Sequence, residues 1–143
     1  MTTAEALTQL FNDNFVAYFR SHAAHVNITG RNFRSDHKLL QGVYERRQAQ
    51  IDAIGELLRT LGEYMPCDMY DILDNTNLMT TPIEGTADEL LNAVLDDLEV
   101  LRDEYIKFQK TAADEGHDEL ANYAQDQILD LKKSIWMLTS TLS

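Results

Sequence analysis

Cysteine occurs once in these 143 residues, at Cys67. A lone cysteine excludes an intrachain disulfide framework and a Cys-x-x-Cys metal site. It favours a reducing compartment, and the cytoplasm is the expected location. Nothing nearby activates Cys67, which reads as an unreactive loop thiol. Proline is almost as rare. Pro66 and Pro82 are the only two, and both fall in one central segment. The remaining stretches lack strong helix breakers, which predicts an all-α fold. No apolar run approaches the roughly 18 residues that span a bilayer. The N-terminus, MTTAEALTQLFNDNF, has no basic segment followed by an apolar one, so no signal peptide is expected. Basic residues are also few: 12 Lys and Arg stand against 24 Asp and Glu, for a net charge of −12. That balance attracts cations and opposes general binding to nucleic acid or anionic membranes.

What is present is helical periodicity, in a length suited to one domain over residues 1–143. A first helix is predicted from about Thr3 to Ile28, with Leu7, Leu10, Phe11, Phe15, Tyr18 and Phe19 on one face. Gly30 breaks it. A second runs from about Asn32 to Leu61, with Phe33, Leu40, Tyr44, Ile51, Ile54 and Leu58 inward and Gly62 as its C-terminal signal. The segment Glu63–Gly85 holds both prolines, and Asp68-Met-Tyr-Asp-Ile-Leu-Asp within it suits a short helix. A third long helix opens at Thr86, where Thr86 and Glu89 form a capping box. It carries Leu90, Val94, Leu98, Leu101, Tyr105 and Phe108 inward and ends near Gly116. The fourth runs from about Asp118 to Thr141, with Leu120, Tyr123, Ile128, Leu131, Ile135 and Leu138. Phe15, Tyr44, Phe108 and Trp136 are read as core. Asp96, Asp97 and Glu99 are read as a solvated face, and His117 as a surface turn residue. Four long helices with one long link predict a ferritin-like four-helix bundle with a crossover carrying a short helix.

His25, His37, Asp52 and Glu56 are the candidate site. Imidazole and carboxylate together suit a divalent transition metal. Taken singly, a histidine near a helix end is more often structural, and Asp52 with Glu56 would be a solvated pair. Their spacing makes a further point. His37 and Asp52 are fifteen residues apart, roughly 22 Å along one helix, whereas metal–ligand bonds span only about 2 Å. The two ends of one helix cannot grip one ion. Two antiparallel copies would bring the histidine end of one to the carboxylate end of the other, giving two equivalent sites per dimer. No Glu-x-x-His occurs, so a di-iron site inside one bundle is not expected.

The stretch from His22 to Gly62 resembles the Dps family, the mini-ferritins of prokaryotes. The matching features are His22-x-x-His25, Asn27, Gly30, Phe33, His37, Tyr44, Ile51-Asp52, Glu56, Arg59 and Leu61-Gly62. Leu101-Arg102-Asp103-Glu104-Tyr105 and Lys133-x-x-Trp136-Met137-Leu138 resemble the family's last two long helices. The resemblance implies a shell, usually of twelve subunits, that oxidises Fe(II), often with hydrogen peroxide, and stores the ferric product inside. It implies that His25 and His37 come from one subunit and Asp52 and Glu56 from its two-fold partner. Glu56 with His25 would hold the tighter metal position, and His37 with Asp52 the second. It also places acidic pores near the start of the fourth helix, where Asp114, Glu115, Asp118, Glu119 and Asp126 are candidates. The same acids also suit a helix N-terminus on dipole grounds alone.

The chain departs from that family in three places. The family's usual Asp one turn after the second histidine is Gln41 here, a neutral and poorer ligand for Fe(II). Asp36 and Glu45 lie close in sequence but are expected to point elsewhere. The usual Trp after the first-helix histidine is Val26. No Lys or Arg precedes Arg20, so the basic tail of DNA-condensing members is missing and DNA binding is not expected. Three functions follow: an iron-oxidising, iron-storing shell; a shell whose site binds a metal such as zinc without efficient oxidation; and a protein that shields DNA physically. Gln41 separates the first two, and the acidic balance opposes the third.

Overall fold

A computed structural model describes residues 1–143. Five helices follow in order: α1 (Thr3–Asn27), α2 (Phe33–Thr60), α3 (Met69–Asn75), α4 (Ala87–Asp114) and α5 (Asp118–Leu142). The four long helices lie within one or two residues of the predicted bounds. Local chemistry explains their ends. Thr2 accepts from the Glu5 N–H at α1, and Thr86 accepts from the Glu89 N–H at 3.2 Å at α4, with each glutamate reaching back to its cap. These capping boxes satisfy amides that a helix start otherwise leaves unpaired. At the end of α2, Gly62 adopts φ +82°, and Glu63 N–H returns to the Leu58 carbonyl at 3.0 Å. A side chain at Gly62 would be strained in that left-handed turn.

α1 packs on α2 and α4 on α5, and the two hairpins meet through α1 and α4. A buried stripe of α1 runs through Leu7, Leu10, Asn14, Ala17, Ser21 and Ala24 and continues into Ile28 at its C-terminal cap. Its alternating steps of three and four residues mark a helix–helix seam. α4 supplies Leu90, Val94, Leu98, Leu101, Tyr105 and Phe108, all buried as expected. Burying one such side chain contributes about 1.5–3 kcal/mol.

Several expectations need correcting. Phe19 is 66% exposed and Trp136 64% exposed, and Phe33 also lies at the surface. Phe19 falls between the steps of the α1 seam. Trp136 falls between Leu131 and Leu138, which do face inward. Asp97 is not part of a solvated face. It is buried against Arg20, whose Nε donates to Asp97 Oδ2 at 2.7 Å, while Nη1 donates to the Thr81 carbonyl at 2.6 Å.

The centre of the bundle is polar. Arg47, fully buried, donates to Asn14 Oδ1 at 3.1 Å and to Asp130 Oδ2 at 3.2 Å. Asn14 donates to the Tyr105 hydroxyl at 3.0 Å. Tyr105 and Tyr123 hydroxyls are 3.0 Å apart, and Tyr123 donates to Gln50 Oε1 at 2.7 Å. Since Tyr123 spends its proton on Gln50, Tyr105 is the donor between the two phenols. Burial pushes both phenols above the usual tyrosine range. This network draws on all four long helices, where a ferritin-like bundle with an internal di-iron site would place its glutamates. The crossover is pinned from below. Buried Asp13 accepts from the Thr76 hydroxyl at 2.7 Å and the Asn77 N–H at 2.8 Å.

Candidate metal centre

His25 sits in the last turn of α1 and His37 in the second turn of α2. Gly30, at φ +126°, reverses the chain between them, and Phe33 N–H closes the turn on the Gly30 carbonyl at 3.2 Å. The reversal brings the two imidazoles into a stack, with centroids 3.7 Å apart and planes 16° from parallel. His25 Nδ1 lies 2.6 Å from the His37 carbonyl, and His37 Nδ1 lies 2.7 Å from the His25 carbonyl. A carbonyl can only accept, so each Nδ1 carries the proton. With Nδ1 as the donor, Nε2 is the nitrogen each ring can offer, the arrangement that orients a histidine for a metal ion. One of those carbonyls belongs to the last turn of α1, which has no helical N–H of its own. The same bond thus caps a helix and fixes a ring.

Aromatic side chains back the pair. Phe33 stacks on His37 at 4.9 Å, and the Tyr44 ring centroid is 5.0 Å from that of His25. Tyr44 is only partly buried, and it stacks face to face on His22 at 4.0 Å. The Tyr18 hydroxyl is 3.2 Å from His22 Nδ1. Reading Tyr44 simply as core misses this wall. Its signal in sequence is the seven-residue step from His37, which sets the two about two turns apart on one face.

Asp52 and Glu56 lie on the outward stripe of α2 with Gln41, Glu45 and Gln48, all exposed. α2 is one unbroken helix, so Asp52 stays roughly 22 Å from His37 along its axis. Within one chain, no three His, Cys, Asp or Glu side chains converge closely enough to hold a metal ion. The structure therefore brings His25 and His37 together and leaves Asp52 and Glu56 apart from them.

Glu45 is not turned away from Gln41. Gln41 Nε2 donates to Glu45 Oε1 at 2.9 Å, because four residues is about one helical turn. Asp36 does point elsewhere: it is buried, and burial followed by the charge of Asp88 raises its carboxyl above the usual range. Of the five pore candidates, all exposed, Glu115 is already engaged by the hydroxyl and N–H of Thr3. Those hydrogen bonds hold its carboxyl below the usual glutamate range. Val26 is 61% exposed on the outer side of α1.

The fold and the orienting histidine pair define a class. The family model described as ferritin-like domain matches residues 4–143. A DNA protection during starvation protein of Helicobacter pylori is 29% identical over 144 residues and covers all of both chains. Antigen TpF1 of Treponema pallidum is 32% identical over 96% of this chain and 78% of its own. Among solved structures, CAIP of Helicobacter cinaedi superposes with a TM-score of 0.91 at 30% identity, over 99% of this chain and 100% of that one. Dps of Listeria innocua superposes at 0.94 with 26% identity, over 99% and 95%. The chain belongs to the Dps proteins of the ferritin-like family.

Proposed function

We propose that this protein is a ferroxidase that takes Fe(II) as substrate at sites shared by two copies and stores the ferric product in a closed shell of twelve. His25 and His37 of one copy and Asp52 and Glu56 of its partner bind the iron. Two Fe(II) ions give one electron each to hydrogen peroxide, which takes up two protons and leaves as water. The observation that carries this reading is the reciprocal bonding of His25 and His37, which leaves both Nε2 atoms free. The separation of the carboxylates along α2 supports a partner's contribution. So do Phe19, Val26 and Met69, large apolar side chains more than half exposed in one chain, which a second copy would cover.

Two measurements test the reading together. Light scattering should find a particle near twelve times the 16.3 kDa chain. Fe(II) oxidation should speed up when the protein is added, and more so with peroxide present. A monomer, or iron that binds without being oxidised, would sink the proposal.

Gln41 leaves the site one charge short of the family pattern. Gln41→Asp should oxidise Fe(II) faster, by roughly tenfold or more, in a stopped-flow assay. An unchanged rate would show that this position is silent.

The relatives' name mentions DNA, but the charge here opposes it. Acidic residues outnumber basic ones two to one, and duplex DNA is itself a dense line of phosphates. No gel shift is expected at low-micromolar protein in about 150 mM salt. A shift that survives that salt would contradict this.

A further inference from the structure

A groove of about 430 Å³ opens between α2 and α5. Arg34, Lys38, Gly42 and Arg46 follow one another at four-residue steps on successive turns of α2, and the last three line the groove. No Asp or Glu lines it, in a chain where acids outnumber bases two to one. Lys38 follows His37 but points about 100° away round the helix. No carboxylate lies within ion-pair distance of it. Arg46 is only half neutralised. Its Nε lies 3.2 Å from Asp130 Oδ1, while Arg47 takes Asp130 Oδ2 at 3.2 Å. One carboxylate thus serves two guanidiniums and leaves one positive charge over. Gly42 permits the arrangement: a Cβ there would meet Arg46 Nη1 at 3.1 Å, so the bare backbone lets the guanidinium lie across the helix.

Ser134 of α5 is an independent sign. It is 6% exposed and lines the groove, yet its hydroxyl has no hydrogen-bond partner in the protein and is not sealed from the groove. A helical serine can bond back to the carbonyl four residues earlier, as Ser21 does to Ala17 at 2.7 Å. Ser134 does not, so its proton is free for a ligand. The Ser35 hydroxyl, by contrast, is spent on the Asn32 carbonyl at 3.0 Å. Donors and positive charge without a competing acid select an anion with several acceptor oxygens. We propose that this groove binds a phosphate dianion, held by the Lys38 ammonium, the Arg46 guanidinium and the Ser134 hydroxyl. Leu39 and Met137 add apolar wall, so two sources carry the chemistry: inorganic phosphate, or a small phosphate ester whose body lies on that wall. Duplex DNA is a different case. It meets the whole acidic surface, whereas a small ion meets only the field within about 8–10 Å.

Calorimetric titration of the assembled full-length protein, without added iron, tests both sources, first with inorganic phosphate and then with adenosine 5′-monophosphate. At least one should bind once per chain, at about 1 mM or tighter. Tighter binding of the ester assigns the second source; equal or tighter binding of phosphate assigns the first. Lys38→Gln and Arg46→Gln, both at exposed positions, should each weaken binding about tenfold. Ser134→Ala should weaken it about fivefold and leave the urea midpoint unchanged, because no bond within the protein is lost. Lys110→Gln removes the same charge from an exposed site on α4 and should change nothing. Three results would overturn the inference: neither ligand binding, binding indifferent to Ser134→Ala, or a loss with Lys110→Gln as large as with Arg46→Gln.

Discussion

Two inactive variants of this protein should restore each other. His25→Ala/His37→Ala removes both imidazoles, and Asp52→Ala/Glu56→Ala removes both carboxylates. Each alone should lower Fe(II) oxidation by roughly a hundredfold or more, since even groups behind the ligands of a metal site are worth 10–100-fold. Co-expressed in one cell, the two chains assort at random. A shared site then needs intact histidines from one chain and intact acids from the other. Each condition is met half the time, so roughly a quarter of wild-type activity should return. A site built inside one chain would regain nothing, because every chain carries a defect. The comparison needs only that both variants assemble. Asp52 and Glu56 are exposed, whereas His25 is buried and the His37 ring caps the end of α1, so the histidine variant is the one whose assembly has to be verified. Light scattering of each variant checks this. Absent recovery with intact shells would rule out the shared arrangement, whatever the wild-type activity.

That test is available because the separation of His37 from Asp52 is legible from spacing alone. The distance from His37 to Asp52 depends only on helical rise, so a single sequence suffices to show that one copy cannot close the site. The caps were legible for the same reason: Thr86 and Glu89 interact over three residues. The stacking of His25 on His37 was one step further away. It depends on Gly30 making a turn tight enough for two helices to trade ring-to-carbonyl bonds. Contacts between distant segments were not legible. Arg20 and Asp97 are 77 positions apart, and an acid flanked by Asp96 and Glu99 looks like one more surface charge. Nothing local marks it as the single member that turns inward. Trp136 errs the other way, because size and apolarity suggest core while its position on α5 does not. Composition describes what a residue prefers; the packing of the helices decides where it goes.

Asp97→Ala should be the most damaging single substitution outside the candidate site. Arg20 and Asp97 are both more than nine-tenths buried in their side chains. Arg20 ties α1 to α4 through Asp97 and to the crossover through the Thr81 carbonyl. Removing the carboxylate leaves a buried guanidinium without its counter-charge, at a cost of about 3–5 kcal/mol. Urea unfolding at fixed chain concentration measures it, since the proposed assembly would make stability concentration-dependent. Replacing both partners, as Arg20→Met with Asp97→Leu, should recover most of the loss, because an apolar pair needs no counter-charge. A double variant as unstable as the single one would assign the cost to lost shape instead. The pair also has a pH signature. Burial outweighs the nearby guanidinium and pushes the Asp97 carboxyl up to about 6 from 3.8. The folded chain therefore holds this proton more tightly than the unfolded chain does. The corresponding stability is fully present below about pH 4 and is lost as pH rises through about 6. Asp97→Asn cannot titrate, so across that window the wild type should lose stability relative to it. A difference that stays constant from pH 4 to pH 6 would mean that Asp97 keeps its charge throughout, and that Arg20 outweighs burial after all.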